Sequence, residues 1–213
     1  MNYFLKKINH YCIFIFIFSF IAAFNGCIVV KEKEMEEREA MLHISPKPEV
    51  PLSEELVRSE SGDMIAQLPE NWFFVDVSTR VSSNIFAVAV NPDYTLSAVF
   101  MRIQLDEKMR QTVEREDTFG LARVCLESHI QKTGAGLKQI GNFRIVNMGA
   151  NTFVTFEYSA VGGALNTKAA VFISRLNNYY EFALLPMNIT GKPLPDKLET
   201  ERVFRSILTG IQY

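Results

Sequence analysis

The sequence predicts an α+β domain: an antiparallel sheet flanked by a long central helix and a C-terminal helix, an α/β/α sandwich. Two observations carry that prediction. Short stretches of β-branched, aromatic and alternating apolar residues, bounded by Pro, Gly and Asn, occupy both sides of one long region, 106–133, whose apolar spacing is helical. A second helical spacing closes the chain. Strands that come in runs, with the helices set apart from them, make an α+β arrangement, not alternating βα units. The composition, 48% apolar and 22% charged, is that of an ordinary globular chain able to build such a core.

The elements follow in order. Asp63–Leu68 reads as a first strand, stopped by Pro69, and Asn71–Val77 as a second, rich in aromatic and β-branched residues. Ile85–Val90 and Thr95–Leu105 flank Asn91-Pro92-Asp93-Tyr94, a turn whose proline presets φ, and so form a hairpin. Phe119, Ala122, Leu126 and Ile130 then share a helical face, widened by Val113, Gly120, Val124 and Cys125, with Gly134 and Gly136 as stops. The charged stretch Glu107–Asp117 reads either as a separate helix or as a loop. Phe143–Met148, Phe153–Val161 and Thr167–Leu176 are three more strands, the last two joined at Gly162-Gly163. Asn177-Asn178 turns the chain into Tyr179–Leu185, ended by Pro186. The last helix starts near Pro195-Asp196 and carries Leu198, Val203, Phe204, Ile207 and Leu208 toward Ile211. From Asp63 to Tyr213 the domain has 151 residues, and a domain of that size buries roughly 68–70% of its unfolded surface.

A strand into Leu68-Pro69-Glu70-Asn71-Trp72, a hairpin, a long helix, antiparallel strands and a final Phe204-Arg205-Ser206-Ile207-Leu208 helix together resemble the Mog1/PsbP/DcrB-like fold. That resemblance covers most of Asp63–Tyr213. It implies a sheet flanked by helices in proteins that mostly bind partners and are not enzymes, among them envelope lipoproteins and chaperone-like adaptors. No catalytic residues carry over with it.

The N-terminus tells a different story. Lys6 and Lys7 precede a charge-free apolar run from Cys12 to Phe24. At about a dozen residues it is too short for a hydrocarbon core that needs roughly 20, and it reads as a secretory signal. The run ends in Ala22-Ala23-Phe24-Asn25-Gly26-Cys27, which resembles the lipobox of bacterial lipoproteins. Gly26 fits the pattern, whereas Phe24 stands where Leu is usual and Asn25 where Ala or Ser is usual. The resemblance implies a signal peptide over 1–26, cleavage between Gly26 and Cys27, and lipid on Cys27. The protein would then sit on the cell membrane or outer membrane, facing the periplasm or exterior. Two other readings stay open. Cleavage after Ala23 would release a soluble protein, and an uncleaved leader would serve as an anchor, since Cys12 to Val30 nearly reaches spanning length.

Residues 27–62 read as the lipidated N-terminus and a tether. Lys31–Glu39 is a run of mixed charge able to form i,i+4 pairs such as Glu34–Arg38. Pro46, Pro48 and Pro51 favour an extended spacer, with another helical turn over Ser53–Arg58. A partner-binding helix around Met41, Leu42 and Ile44 is the competing reading; His43, alone here, is no metal site.

Candidates for chemistry are few. Removing Lys6 and Lys7 with the leader leaves 20 basic residues against 24 acidic, scattered and without a basic patch, so nucleic acid is not expected. Cys125 is the one cysteine of the exported domain, so no internal disulfide is expected. His129 shares its helical face, but two side chains fall short of a zinc site and no group to orient a Cys–His nucleophile is in view. No metal or cofactor is expected. Gly134-Ala135-Gly136 lacks the residues of a phosphate loop, and Glu116-Asp117 reads as a solvated face. Trp72, Tyr94, Tyr179 and Tyr180 are the candidate binding surface. Tyr179 and Tyr180 point to opposite faces of a strand, so only one of the two faces outward. The expected function is a non-enzymatic, membrane-tethered binding or adaptor module for an envelope protein or peptide. The alternative is a carrier of an apolar small molecule in a pocket between sheet and helix.

Overall fold

Apolar residues on both faces of the central strands dictate a sheet that must be covered twice. The computed structural model describes residues 46–76, 82–160 and 166–213, all within the unit Ile44–Tyr213. The leader, Gly26 and Cys27, and the tether up to residue 45 lie outside the described residues, as does the expected Gly162-Gly163 turn. Seven strands form one sheet: β3 (Phe73–Phe74), β4 (Ile85–Val90), β5 (Leu96–Ile103), β6 (Leu137–Met148), β7 (Asn151–Ala160), β8 (Asn166–Ile173) and β9 (Tyr179–Pro186). Their spatial order is β3-β4-β5-β9-β8-β7-β6, antiparallel throughout. Two further strands, β1 (Leu52–Arg58) and β2 (Ile65–Pro69), pair only with each other, and Ile65 exchanges backbone hydrogen bonds with Gln212.

Helix α1 (Glu107–Thr133) covers one face of the sheet and α2 (Lys197–Gly210), with the β1–β2 hairpin, the other. Each helix starts at an aspartate. Asp106 accepts from the Met109 N–H at 2.8 Å and Asp196 from the Glu199 N–H at 2.8 Å, satisfying donors that a helix start leaves unpaired. Gly210 lets α2 sit against the hairpin, because a Cβ there would lie 3.0 Å from Leu52 Cδ1 and 3.1 Å from Gln67 Cβ.

Strand alternation sorts the side chains into two cores. Tyr180, Phe182 and Leu184 of β9 join Phe100, Phe172, Phe204 and Ile207 on the α2 side. Ala183 of the same strand joins Val154, Phe156, Val171, Leu121 and Cys125 on the α1 side. Rings interlock on the α2 side: Phe100 stacks on Phe182 at 5.0 Å, and Phe182 on Phe204 at 5.4 Å.

Three expectations are corrected. Ser53–Arg58, expected as a helical turn in the tether, lies in β1, with Val57 buried, and the Glu49 and Val50 N–H groups donate to Ser206 Oγ. The fold therefore begins before Asp63. Of the strand expected over Asn71–Val77, Val77 lies outside the described residues and the rest reduces to Phe73–Phe74. Phe119, expected on the buried face of α1, is 41% exposed, while Leu121 and Ala122 are fully buried. Leu198, at the start of α2, is 60% exposed. The undecided stretch Glu107–Glu116 is helical, and Asp117 (φ 54°, ψ −140°) breaks α1 immediately after it.

Candidate functional site

The four aromatics chosen from the sequence do not form one surface. Tyr180 is 1% exposed in the α2-side core, so it is removed from the binding surface. Its hydroxyl donates to Asp63 at 2.5 Å. Asp63 also accepts from Ser59, Ser61, Ser174 and Asn178, tying the β1–β2 turn to the β8–β9 turn. Tyr179, the other member of the pair, is half-buried against the α1-side core. Tyr94 is exposed in the β4–β5 turn, its ring 5.3 Å from Phe73. That turn lies beside the end of β9, where Met187 N–H donates to Thr95 O, with the length of the strand separating it from Tyr179 and Tyr180. Trp72 is half-buried and lines a groove of about 500 Å³ with Glu70, Asn91, Pro92, Asp196 and Arg202.

A larger concavity lies between α2 and the β6–β7 edge of the sheet. It holds about 630 Å³ and opens to solvent. Its floor is built around Lys168, which β8 points toward α2. Register places Glu157 of β7 directly across from it, and α2 brings Glu201 over it. Lys168 Nζ lies 2.5 Å from Glu157 Oε1 and 2.8 Å from Glu201 Oε2, and 5.9 Å from the centre of the Phe204 ring. The ammonium is nearly fully buried, and a buried charge persists only when paired. Burial alone would lower the Lys168 pKa, but the two carboxylates outweigh it and hold it above the ordinary lysine value. Arg144 of β6 and Lys197 and Arg205 of α2 line the walls, and Leu198 stands exposed among them, whereas Ile145, paired with Val154 of the α1-side core, turns its side chain to the other face of the sheet.

Cys125 and His129 do share a face, and Glu181 joins them. His129 Nε2 lies 2.8 Å from Glu181 Oε1, and its ring stacks on Tyr158 at 5.1 Å. The carboxylate, not the imidazole, stands beside the thiol. Burial, and then Glu181, push the Cys125 thiol well above its ordinary range. A thiol held in its protonated form is a poor nucleophile, so the cluster ties α1 to β9. Among the described residues no group of three or more His, Cys, Asp or Glu is arranged to hold a metal ion. No helix among them is long and apolar enough to cross a membrane.

The sandwich with helices on both faces has counterparts among solved structures. Cyanobacterial PsbP (CyanoP) from Synechocystis sp. PCC 6803 superposes with a TM-score of 0.54 at 14% identity, covering 75% of this chain and 92% of that one. The fold is PsbP-like. The Ran-binding protein Mog1p of Saccharomyces cerevisiae gives 0.41 at 14% identity over 76% of this chain and 95% of its own. LpqN of Mycobacterium tuberculosis, involved in cell envelope biogenesis, gives 0.38 at 14% identity over 76% and 92%. No protein-family model matches the sequence, and no curated protein sequence matches it.

In this PsbP-like domain the charged pair on the groove floor, Lys168 and Glu157, and the wall cations Arg144 and Lys197 carry no motif in the sequence. One signal was available: Lys197, Glu201 and Arg205 recur every four residues and so share a helical face. Lys168 and Glu157 carried none, because their meeting depends on the register between β7 and β8.

Proposed function

We propose that the chain is a membrane-tethered lipoprotein whose PsbP-like domain is a binding module in the cell envelope, with the groove beside α2 as its contact face. The groove is the observation that carries this reading. Its volume, about 630 Å³, matches that of a ligand site, and the aromatic rings beneath it already pack against one another. The lipobox-like Ala22–Cys27 supports a lipid on Cys27 and hence a location at a membrane. Two or three acyl chains, at roughly 0.8 kcal/mol per buried CH₂, make such a tether effectively permanent. An apolar small molecule is the weaker occupant. Six charged side chains line the groove, and covering them with hydrocarbon leaves charges without water or partners. No catalytic step is assigned to the domain.

Site-specific photocrosslinking in the native envelope tests the reading. A crosslinker replacing Asn142 or Thr155, which line this groove and not the one beside Trp72, should give a discrete adduct, and one replacing Phe119 or Leu176, exposed elsewhere, should not. Equal labelling at all four positions, or none in the groove, would remove the groove as the contact face.

A further inference from the structure

We infer that the groove beside α2 takes an acidic, extended segment of a protein partner. The inference rests on the groove being the partner-contacting face and adds the chemistry of what enters it. Two carboxylates, Glu157 and Glu201, are already engaged with Lys168 on the floor. Arg144, Lys197 and Arg205 are exposed and form no ion pair or side-chain hydrogen bond among the described residues. The lining therefore carries four cations against two anions, and the unpaired charge stands on the walls.

The placement of those cations says more than their number. Arg144 belongs to the sheet wall, and Lys197 and Arg205 to the helix wall. The latter two are eight residues apart on one face of α2, about 12 Å along the axis. An extended chain rises about 3.3 Å per residue, so carboxylates four residues apart on a bound segment match that span. A single phosphate would meet only part of the set, and a flat bilayer surface would not enter a concave trough. Leu198, exposed beside Lys197, offers contact to an apolar residue between the acidic ones. The groove on the other flank of the α2 N-terminus has the opposite lining: Glu49, Glu70, Asp196 and Glu199 with Arg202. An acidic segment is thus repelled from one side of the helix and drawn to the other.

The test uses the full chain in lipid nanodiscs and a fluorescein-labelled peptide with glutamates at four-residue spacing around a leucine. Its counterpart carries lysine at every glutamate position. Fluorescence anisotropy should show saturable binding of the glutamate peptide alone. Combined Arg144→Gln, Lys197→Gln and Arg205→Gln should weaken it by about tenfold, since exposed ion pairs contribute a few tenths of a kcal/mol to 1 kcal/mol each. The same number of changes on α1, across the sheet, Lys108→Gln, Arg110→Gln and Lys132→Gln, should leave it unchanged. Equal binding of both peptides, or an unchanged triple variant, would overturn the inference. Loss of the peptide in discs doped with phosphatidylglycerol would also overturn it, assigning the cations to the bilayer. If groove crosslinking in the envelope succeeds and the triple variant retains its yield, the contact face stands and the acidic occupant falls. If crosslinking fails as well, both fall.

Discussion

Asp63 is where a single side chain holds most together. Its carboxylate accepts from Ser59 and Ser61 near the β1–β2 turn and, more than a hundred residues on, from Ser174 and Asn178 of the β8–β9 turn and Tyr180 of β9. Asp63→Ala leaves those donors without their acceptor and should cost about 2–4 kcal/mol, read as a lower urea midpoint at unchanged slope. The pH dependence has a definite sign. Burial raises the Asp63 pKa, but the hydrogen bonds from Ser174, Ser61, Tyr180 and Asn178 outweigh it and hold the group well below the usual carboxylate range. In the unfolded chain it titrates near pH 4 (about 3.9). Its stabilising contribution is therefore complete above that pH and drains away as the pH falls further. The wild-type midpoint should fall between neutral pH and about pH 3 by more than that of Asp63→Asn; equal falls would contradict the role given to the carboxylate. None of this was legible in the sequence, where Asp63 marked only the start of a strand. The Tyr179–Tyr180 alternation was legible. Which ring is buried was not, because β9 is covered on both faces and offers no polar–apolar contrast.

At the scale of elements, irregularities decided what could be read. The strand Ile85–Val90, α2 and the part of α1 after Asp117 follow from local pattern. β1 did not. Its pairing with β2 slips between Leu52 and Leu56, so the period-2 pattern is interrupted inside a charged stretch that follows three prolines. The same happens in β6, whose register shifts between Ile140 and Arg144. The expected strand Phe143–Met148 is essentially the part beyond that bulge. Phe119 was misplaced because the large residues picked out one edge of the α1 stripe, while Leu121 and Cys125 lie at its centre. Lys168 joins three elements, β7, β8 and α2, and makes a prediction at this scale. Lys168→Ala leaves Glu157 and Glu201 facing each other without a cation. Because both carboxylates keep partial access to water, the cost should be about 1–2 kcal/mol, well below that of orphaning a fully buried charge. Urea denaturation checks it, and a change below a few tenths of a kcal/mol would show that water already satisfies the pair.

Taken whole, the chain joins a two-sided PsbP-like sandwich to an N-terminal segment with the pattern of a lipoprotein leader. The fold class was legible because runs of strands set apart from two helices admit few layer arrangements. The groove was not, since it exists only where α2, β6, β7 and β8 meet. A tether would confine that groove to the neighbourhood of a bilayer, which makes the anchor the claim on which the account turns. The most direct measurement is the intact mass of the membrane-extracted protein beside its Cys27→Ala variant. The expected result is a chain beginning at Cys27 and carrying a diacylglyceryl group that the variant lacks. A soluble, unlipidated chain beginning near Phe24 would contradict it and make the domain a diffusible binder.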